Sequence, residues 1–223
     1  MTASGGGFSG DAGSGTAGSG TAGSGAGVSG TAGSGDAVSG DLVSGAGVSG
    51  LLQALRFAAE KHRDHRRKGA TAAPYINHPI TVAEQLAALG LGSDVELLMA
   101  AILHDVVEDT GTTEAELVEA FGERVTRIVM EVTDDGNLRR EERKSQTVSN
   151  IAGKSREARL LKLSDLIANI GDMIHHPPHW DDERKREYLD WGEAVVNRLR
   201  GTHHGLEARF DALVREGRAV LTE

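Results

Sequence analysis

Residues His104 to Asp109 read H-D-x-x-E-D, and His78 upstream and Asp165 downstream complete a set of two imidazoles and four carboxylates. Four of the six lie on one apolar stretch, 95–109, whose first half is Val95-Glu96-Leu97-Leu98-Met99-Ala100-Ala101-Ile102-Leu103. Burying that many ionisable groups unpaired would cost on the order of several kcal/mol each, so apolar sequence that carries them needs a compensating charge. A divalent cation is the simplest compensation, and it points to a metal-dependent hydrolase. On one continuous helix His104 would stack with Glu108 and Asp105 with Asp109, because positions four apart share a face. His104 and Asp105 would flank a single ion between them. A mixed imidazole and carboxylate set without sulfur suits Mn²⁺, Fe²⁺ or a hydrolytic Zn²⁺, and oxygen-rich six-coordination favours Mn²⁺. A His-Asp dipeptide alone is common by chance. The joint arrangement carries the argument.

Those groups need a scaffold, and only part of the chain can supply one. Residues 1–50 are ten pentapeptides, each ending in Ser-Gly, with no Lys or Arg, one aromatic residue and three acids. Such sequence cannot bury enough apolar surface to offset its backbone entropy, so a disordered Gly/Ser-rich extension is expected. The remaining 173 residues suffice for one well-cored domain over 51–223. The chain carries a net charge of −9, and setting aside the three acids of the extension leaves −6. Net acidity argues against nucleic-acid and anionic-membrane partners. The longest apolar run is far too short to span a bilayer. With no cysteine there is neither a disulfide framework nor a thiolate site, which suits a cytoplasmic protein.

Within 51–223 the apolar spacing is helical throughout. Leu51, Leu52, Leu55, Ala58 and Ala59 open a first amphipathic helix running toward Arg67. A loop over 69–79 contains Pro74 and Pro79, and a second helix over 80–89 stops at Gly90. Ser93 with Glu96 reads as a capping box for the third helix. Thr112 or Thr113 caps a short fourth helix ending at Gly122, and a fifth covers 123–132. Further helices are expected over 139–150, from about Ser155 to the break at His175-His176-Pro177-Pro178, over 182–200 and over 206–220. No segment alternates with period two. The fold class is all-α.

Three stretches carry a resemblance: Tyr75-Ile76-Asn77-His78-Pro79, Leu103-His104-Asp105-Val106-Val107-Glu108-Asp109-Thr110 and Lys162-Leu163-Ser164-Asp165-Leu166-Ile167-Ala168-Asn169. Together they resemble the HD-domain hydrolase half of the RelA/SpoT-homologue family, most of all its stand-alone small alarmone hydrolases. The resemblance implies an HD-domain helical bundle that uses Mn²⁺ to remove the 3′-pyrophosphate of the guanosine nucleotides ppGpp and pppGpp. It implies that His78, His104, Asp105 and Asp165 ligate the metal, while Glu108 and Asp109 handle the protons of water and leaving group. It assigns Arg67 and Lys68 to the nucleoside and Asn169 to the ribose or 3′-phosphate. Arg140, Lys144, Arg184 and Tyr188 would line the pocket. Arg140 stands where close relatives have a lysine, and Gly171 where they usually place a basic residue. Two other readings compete. One is a hydrolase for another nucleotide phosphorylated at the ribose 2′ or 3′ position, such as NADPH. The other is a metal-bound nucleotide sensor without catalysis.

Overall fold

A computed structural model describes residues 44–69 and 72–221, and among them every regular element is helical. Helix α1 (Gly45–Lys61) starts at the last residue of the ninth pentapeptide, six residues before the expected Leu51. Ser44 is its N-cap, its hydroxyl accepting the Gly47 N–H at 3.1 Å. A Cβ at Gly50 would stand 3.2 Å from Met99 Sδ, so this part of the repeat packs against the third helix. The extension expected over 1–50 therefore ends earlier than the composition suggests, and residues 1–43 lie outside the described residues. Helix α1 ends at Lys61 and not near Arg67, which frees the basic run that follows it to turn back over the domain.

Helix α2 (Asn77–Leu86) begins with His78 and Pro79 in its first turn, where a missing proline N–H costs nothing. It runs into a wide turn over Ala87–Leu91 that is broken at Gly90, held at φ 89°. Helix α3 (Val95–Leu103) is capped by Asp94, not by the expected Ser93. The Asp94 carboxylate accepts the Leu97 N–H at 3.1 Å and also takes both terminal nitrogens of Arg124 at 2.7 Å, a charge-assisted pair that a serine could not make. Leu97 through Leu103 are all buried. Burying each such side chain stabilises by about 1.5–3 kcal/mol, so α3 is the axis of the core.

Residues 95–109 do not form one helix. The chain turns at His104 and Asp105 and restarts as the single turn α4 (Val106–Asp109). Helix α5 (Glu114–Val132), capped by Thr113, joins the two short helices expected on either side of Gly122, which sits at φ 82° as a kink between them. Helices α6 (Arg140–Asn150), α7 (Arg156–His175), α8 (Asp182–Leu199) and α9 (His204–Val220) fall where the periodicity put them, within two residues at their starts. Helix α3 packs against α1, α2 and α5, and α7 packs against α2 and α9. The loop between α1 and α2 is pinned by isolated bridges from Arg66 to Pro74 and from Gly69 to Pro178. A Cβ at Gly69 would lie 2.7 Å from the His176 carbonyl oxygen, so this close approach admits only glycine. No described helix is long and apolar enough to cross a membrane.

Candidate metal centre

Three separate pieces of chain meet at one point. His78 comes from the first turn of α2, His104 and Asp105 from the turn between α3 and α4, and Asp165 from the middle of α7. His78 Nε2 lies 3.2 Å from Asp165 Oδ1 and 3.6 Å from Asp105 Oδ2. His104 Nε2 lies 3.1 Å from Asp105 Oδ2 and 3.8 Å from Asp165 Oδ1. One ligand atom each from His78, His104 and Asp165 falls within 4.8 Å of the others, and these three residues are no more than 6 % exposed. The break in the helix makes this possible. Both residues keep right-handed dihedrals at this corner between α3 and α4, and the His104 ring and the Asp105 carboxylate reach the same point.

The donor set fits a cation on a specific observation. His104 Nδ1 lies 2.8 Å from the Ala101 carbonyl oxygen, which can only accept, so Nδ1 carries the proton. Nε2 is then left with a lone pair facing the oxygens of Asp105 and Asp165. It is buried, and neither contact is aligned as a hydrogen bond. Three electron-rich atoms cannot stay together in a buried site without a proton or a metal between them. Burial works against charge on His104, yet Asp105 and Asp165 outweigh it and hold the imidazole well above its usual range. Burial likewise opposes charge on the two carboxylates. At Asp105 the two imidazoles overcome it, and at Asp165 Lys162 and then the imidazoles do, so both acids lie below the usual range. A divalent ion would take the place of that extra proton.

The surrounding side chains hold the four in place. The Tyr75 hydroxyl donates to Asp105 Oδ2 at 2.7 Å, and its ring stacks on His62 with centroids 4.7 Å apart. Lys162 Nζ donates to Asp165 Oδ2 at 3.0 Å and Asn169 Nδ2 to Asp165 Oδ1 at 2.5 Å. Arg67 donates to Asn169 Oδ1 at 2.8 Å and to Asp172 Oδ2 at 2.9 Å. Both polar ends of Asn169 are thus engaged within the protein.

The centre opens into a cavity of about 630 Å³. Glu108 and Asp109 line it, and Glu108 Oε2 accepts the Asp134 N–H at 3.3 Å. Burial, followed by the negative charge of Asp134, raises Glu108 above the usual glutamate range. All seven residues expected to contact substrate line the same cavity: Arg67, Lys68, Arg140, Lys144, Asn169, Arg184 and Tyr188. Trp180, Tyr188 and Trp191 form one aromatic wall with centroids 5.4–5.6 Å apart. The Arg184 guanidinium stands 4.4 Å over Trp180. Sequence reasoning gave no role to Tyr75, Lys162, Asp134 or Arg143, which also line the cavity. Lys162 did carry a signal of the same kind as Asp165: a lone charge between leucines of a buried helix. Away from the cavity, Lys61 pairs with Glu116 at 2.8 Å, and His203 caps α9 by accepting the Leu206 N–H.

A family model described as HD domain matches residues 54–190, a span that includes both imidazoles, all the carboxylates above and Tyr188. The chain belongs to the HD-domain family. Within it, this HD domain groups with the small RelA/SpoT homologues. It is 46 % identical over 167 residues to the Danio rerio protein named guanosine-3′,5′-bis(diphosphate) 3′-pyrophosphohydrolase MESH1, covering 74 % of this chain and 93 % of that one. The Homo sapiens protein of the same name is 44 % identical with the same coverage. A solved structure described as a metazoan ortholog of SpoT that hydrolyses ppGpp superimposes with a TM-score of 0.73. It is 40 % identical, and the match covers 75 % of this chain and 95 % of that one.

Proposed function

We propose that this HD domain is a metal-dependent 3′-pyrophosphohydrolase that converts ppGpp and pppGpp to GDP and GTP with release of pyrophosphate. The observation that carries the reading is the closure of His78, His104 and Asp165 around one point at the floor of the cavity. The relatives named above supply the substrate class. His78, His104, Asp105 and Asp165 would hold the ion, and the sulfur-free nitrogen and oxygen donors suit Mn²⁺. Bound there, the cation would supply Lewis acidity, making water more acidic and neutralising charge on phosphate oxygens.

The protein's own groups divide the remaining work. Glu108, raised by burial and by Asp134, takes up a proton from water more readily than an exposed glutamate. Asp109 lines the cavity beside it and serves the oxygen that leaves phosphorus. The basic side of the cavity, with Arg67, Lys68, Arg140, Lys144 and Arg184, neutralises the pyrophosphate and diphosphate charges. Asn169 reaches a ribose or 3′-phosphate by giving up Arg67, and its contact to Asp165 keeps it beside the reacting bond. Tyr188 and the tryptophans on either side of it offer an apolar face for the nucleoside.

The test is incubation of the full chain with ppGpp, with and without Mn²⁺, scoring GDP and pyrophosphate by ion-exchange chromatography. NADPH and other 2′- or 3′-phosphorylated nucleotides are run beside it. The expected outcome is Mn²⁺-dependent release of pyrophosphate, with ppGpp turned over faster than the others. Glu108→Gln and Asp109→Asn should each reduce kcat by about 10²-fold or more while substrate still binds, the usual contribution of a positioned acid or base. Unchanged turnover in both variants would reject their assignment.

A further inference from the structure

Asp165 is held unlike the other carboxylate at the centre, and the difference lies in Lys162. The two oxygens of Asp165 have separate partners. Oδ1 faces His78 Nε2 at 3.2 Å and His104 Nε2 at 3.8 Å and accepts from Asn169 Nδ2 at 2.5 Å, whereas Oδ2 accepts from Lys162 Nζ at 3.0 Å. Lys162 sits one helical turn before Asp165 on α7, between Leu161 and Leu163, with only 14 % of its side chain exposed. An ammonium in that position is expensive to desolvate, and a buried pair of this kind is poor evidence of added stability. The other electrostatic neighbours of Lys162 include Asp134, Glu108 and Tyr188, all on the cavity wall. The residue thus stands between the floor that would hold the ion and the wall that carries Glu108.

We infer that Lys162 is a positioning residue that keeps Asp165 a one-oxygen ligand and so leaves room at the metal for water and substrate. This inference rests on the metal reading of the site. A carboxylate can give a hard cation one oxygen or two, and each additional oxygen displaces a water or a substrate atom. With Oδ2 tied to an ammonium, Asp165 offers the centre Oδ1 alone. The same positive charge lowers the net negative charge of the cage, which keeps the ion from being held more tightly than turnover requires. Lys162 therefore trades metal affinity for reactivity. A lysine that merely gripped the substrate phosphate, or one that merely stabilised α7, would do neither.

The opposing signs make the test sharp. Mn²⁺-loaded full chain carrying Lys162→Met is compared with wild type by three measurements: retention of Mn²⁺ against a chelator, the Mn²⁺ electron paramagnetic resonance spectrum, and kcat and KM for ppGpp. Replacing the lysine is expected to tighten Mn²⁺ retention and alter the spectrum. It should also lower kcat by about 10–100-fold with KM little changed, the range typical of residues that orient a metal ligand. Lys162→Arg, which keeps the charge, should restore the wild-type spectrum and retention. If Lys162→Met does not fold, Lys162→Leu carries the same expectations, because it too brings neither charge nor donor to Asp165 Oδ2. A raised KM with an unchanged spectrum would overturn the inference in favour of substrate contact. Equal or weaker retention of Mn²⁺ would overturn it in favour of a structural lysine. A wild-type protein that neither binds Mn²⁺ nor needs it would remove the metal reading itself, and this inference with it.

Discussion

Tyr75 shows how much of the centre is built by residues that would never touch the ion. Its hydroxyl fixes one oxygen of Asp105, and its ring is clamped between His62 on one side and the Arg67 guanidinium, 5.5 Å from the ring centre, on the other. Burial, together with the negative charge of Asp105, pushes the phenol far above its normal range, so it donates across the whole working pH span. Tyr75→Phe removes one hydrogen bond to a charged group, a loss of about 1.5–3 kcal/mol. The expected result is Mn²⁺ affinity weakened by about tenfold or more, as for other outer partners of metal ligands, and a melting temperature lower by roughly 3–12 °C. Chelator competition measures it, and wild-type affinity in the variant would show Asp105 to be oriented by its backbone alone. The sequence announced His78, His104, Asp105 and Asp165 because charge in apolar surroundings stands out. Tyr75 was silent, since a tyrosine after a proline in a loop is ordinary. Lys162 could have been read, being as isolated among leucines as Asp165. Asn169 stands one turn beyond Asp165, which places it at the same cavity, but nothing in the sequence reveals that Arg67 and Asp165 already occupy both its ends.

Helix boundaries depended on how local their causes were. Gly90, Gly122 and the Pro177-Pro178 pair interrupt helices at or near where they stand, because backbone freedom and ring sterics act on the spot. The break at His104–Asp105 has no such marker. Leu103 and Val106 on either side would continue a helix, and His104 and Asp105 themselves keep right-handed dihedrals. The cap of α3 went to Asp94 for a non-local reason, since Arg124 on α5 rewards a carboxylate there. That pair predicts an acid dependence. The hydrogen bonds from Arg124 outweigh partial burial and, with the Leu97 N–H, hold Asp94 below its usual range. A depressed acid contributes stability that is present above its unfolded pKa of about 3.9 and is lost as the pH falls through the folded value. Asp94→Ala should therefore cost about 0.5–2 kcal/mol at neutral pH, the range for loss of an N-cap. In urea melts the gap between wild type and variant should narrow below about pH 4, where the wild-type carboxylate also protonates. A gap that stays constant down to pH 3 would show that Asp94 acts through shape and not charge.

The helical bundle as a whole followed from periodicity, because amphipathic spacing is a property of each segment taken separately. The meeting of α2, the α3–α4 corner and α7 is not, and it could be inferred only from the kind of residue each segment carries. That meeting has a thermodynamic consequence. The centre gathers two imidazoles and two acids that repel or compete for protons when no cation is present, so an ion there clamps three elements that pack against one another through the core. Anything that binds only the folded state stabilises it, by about 2.7 kcal/mol when free Mn²⁺ stands at 100 times its dissociation constant. For a domain of this length about 1 kcal/mol moves the melting temperature by roughly 2–4 °C, so removing the metal should lower it by about 5–10 °C. Differential scanning calorimetry with and without chelator tests this, with His104→Ala as the control. That variant loses one of the two ring nitrogens that face both acids, and its melting temperature should respond to Mn²⁺ far less than the wild type's. Equal responses in the two proteins would place the cation elsewhere, because with His104 gone only His78 is left to offer a ring nitrogen to an ion between Asp105 and Asp165.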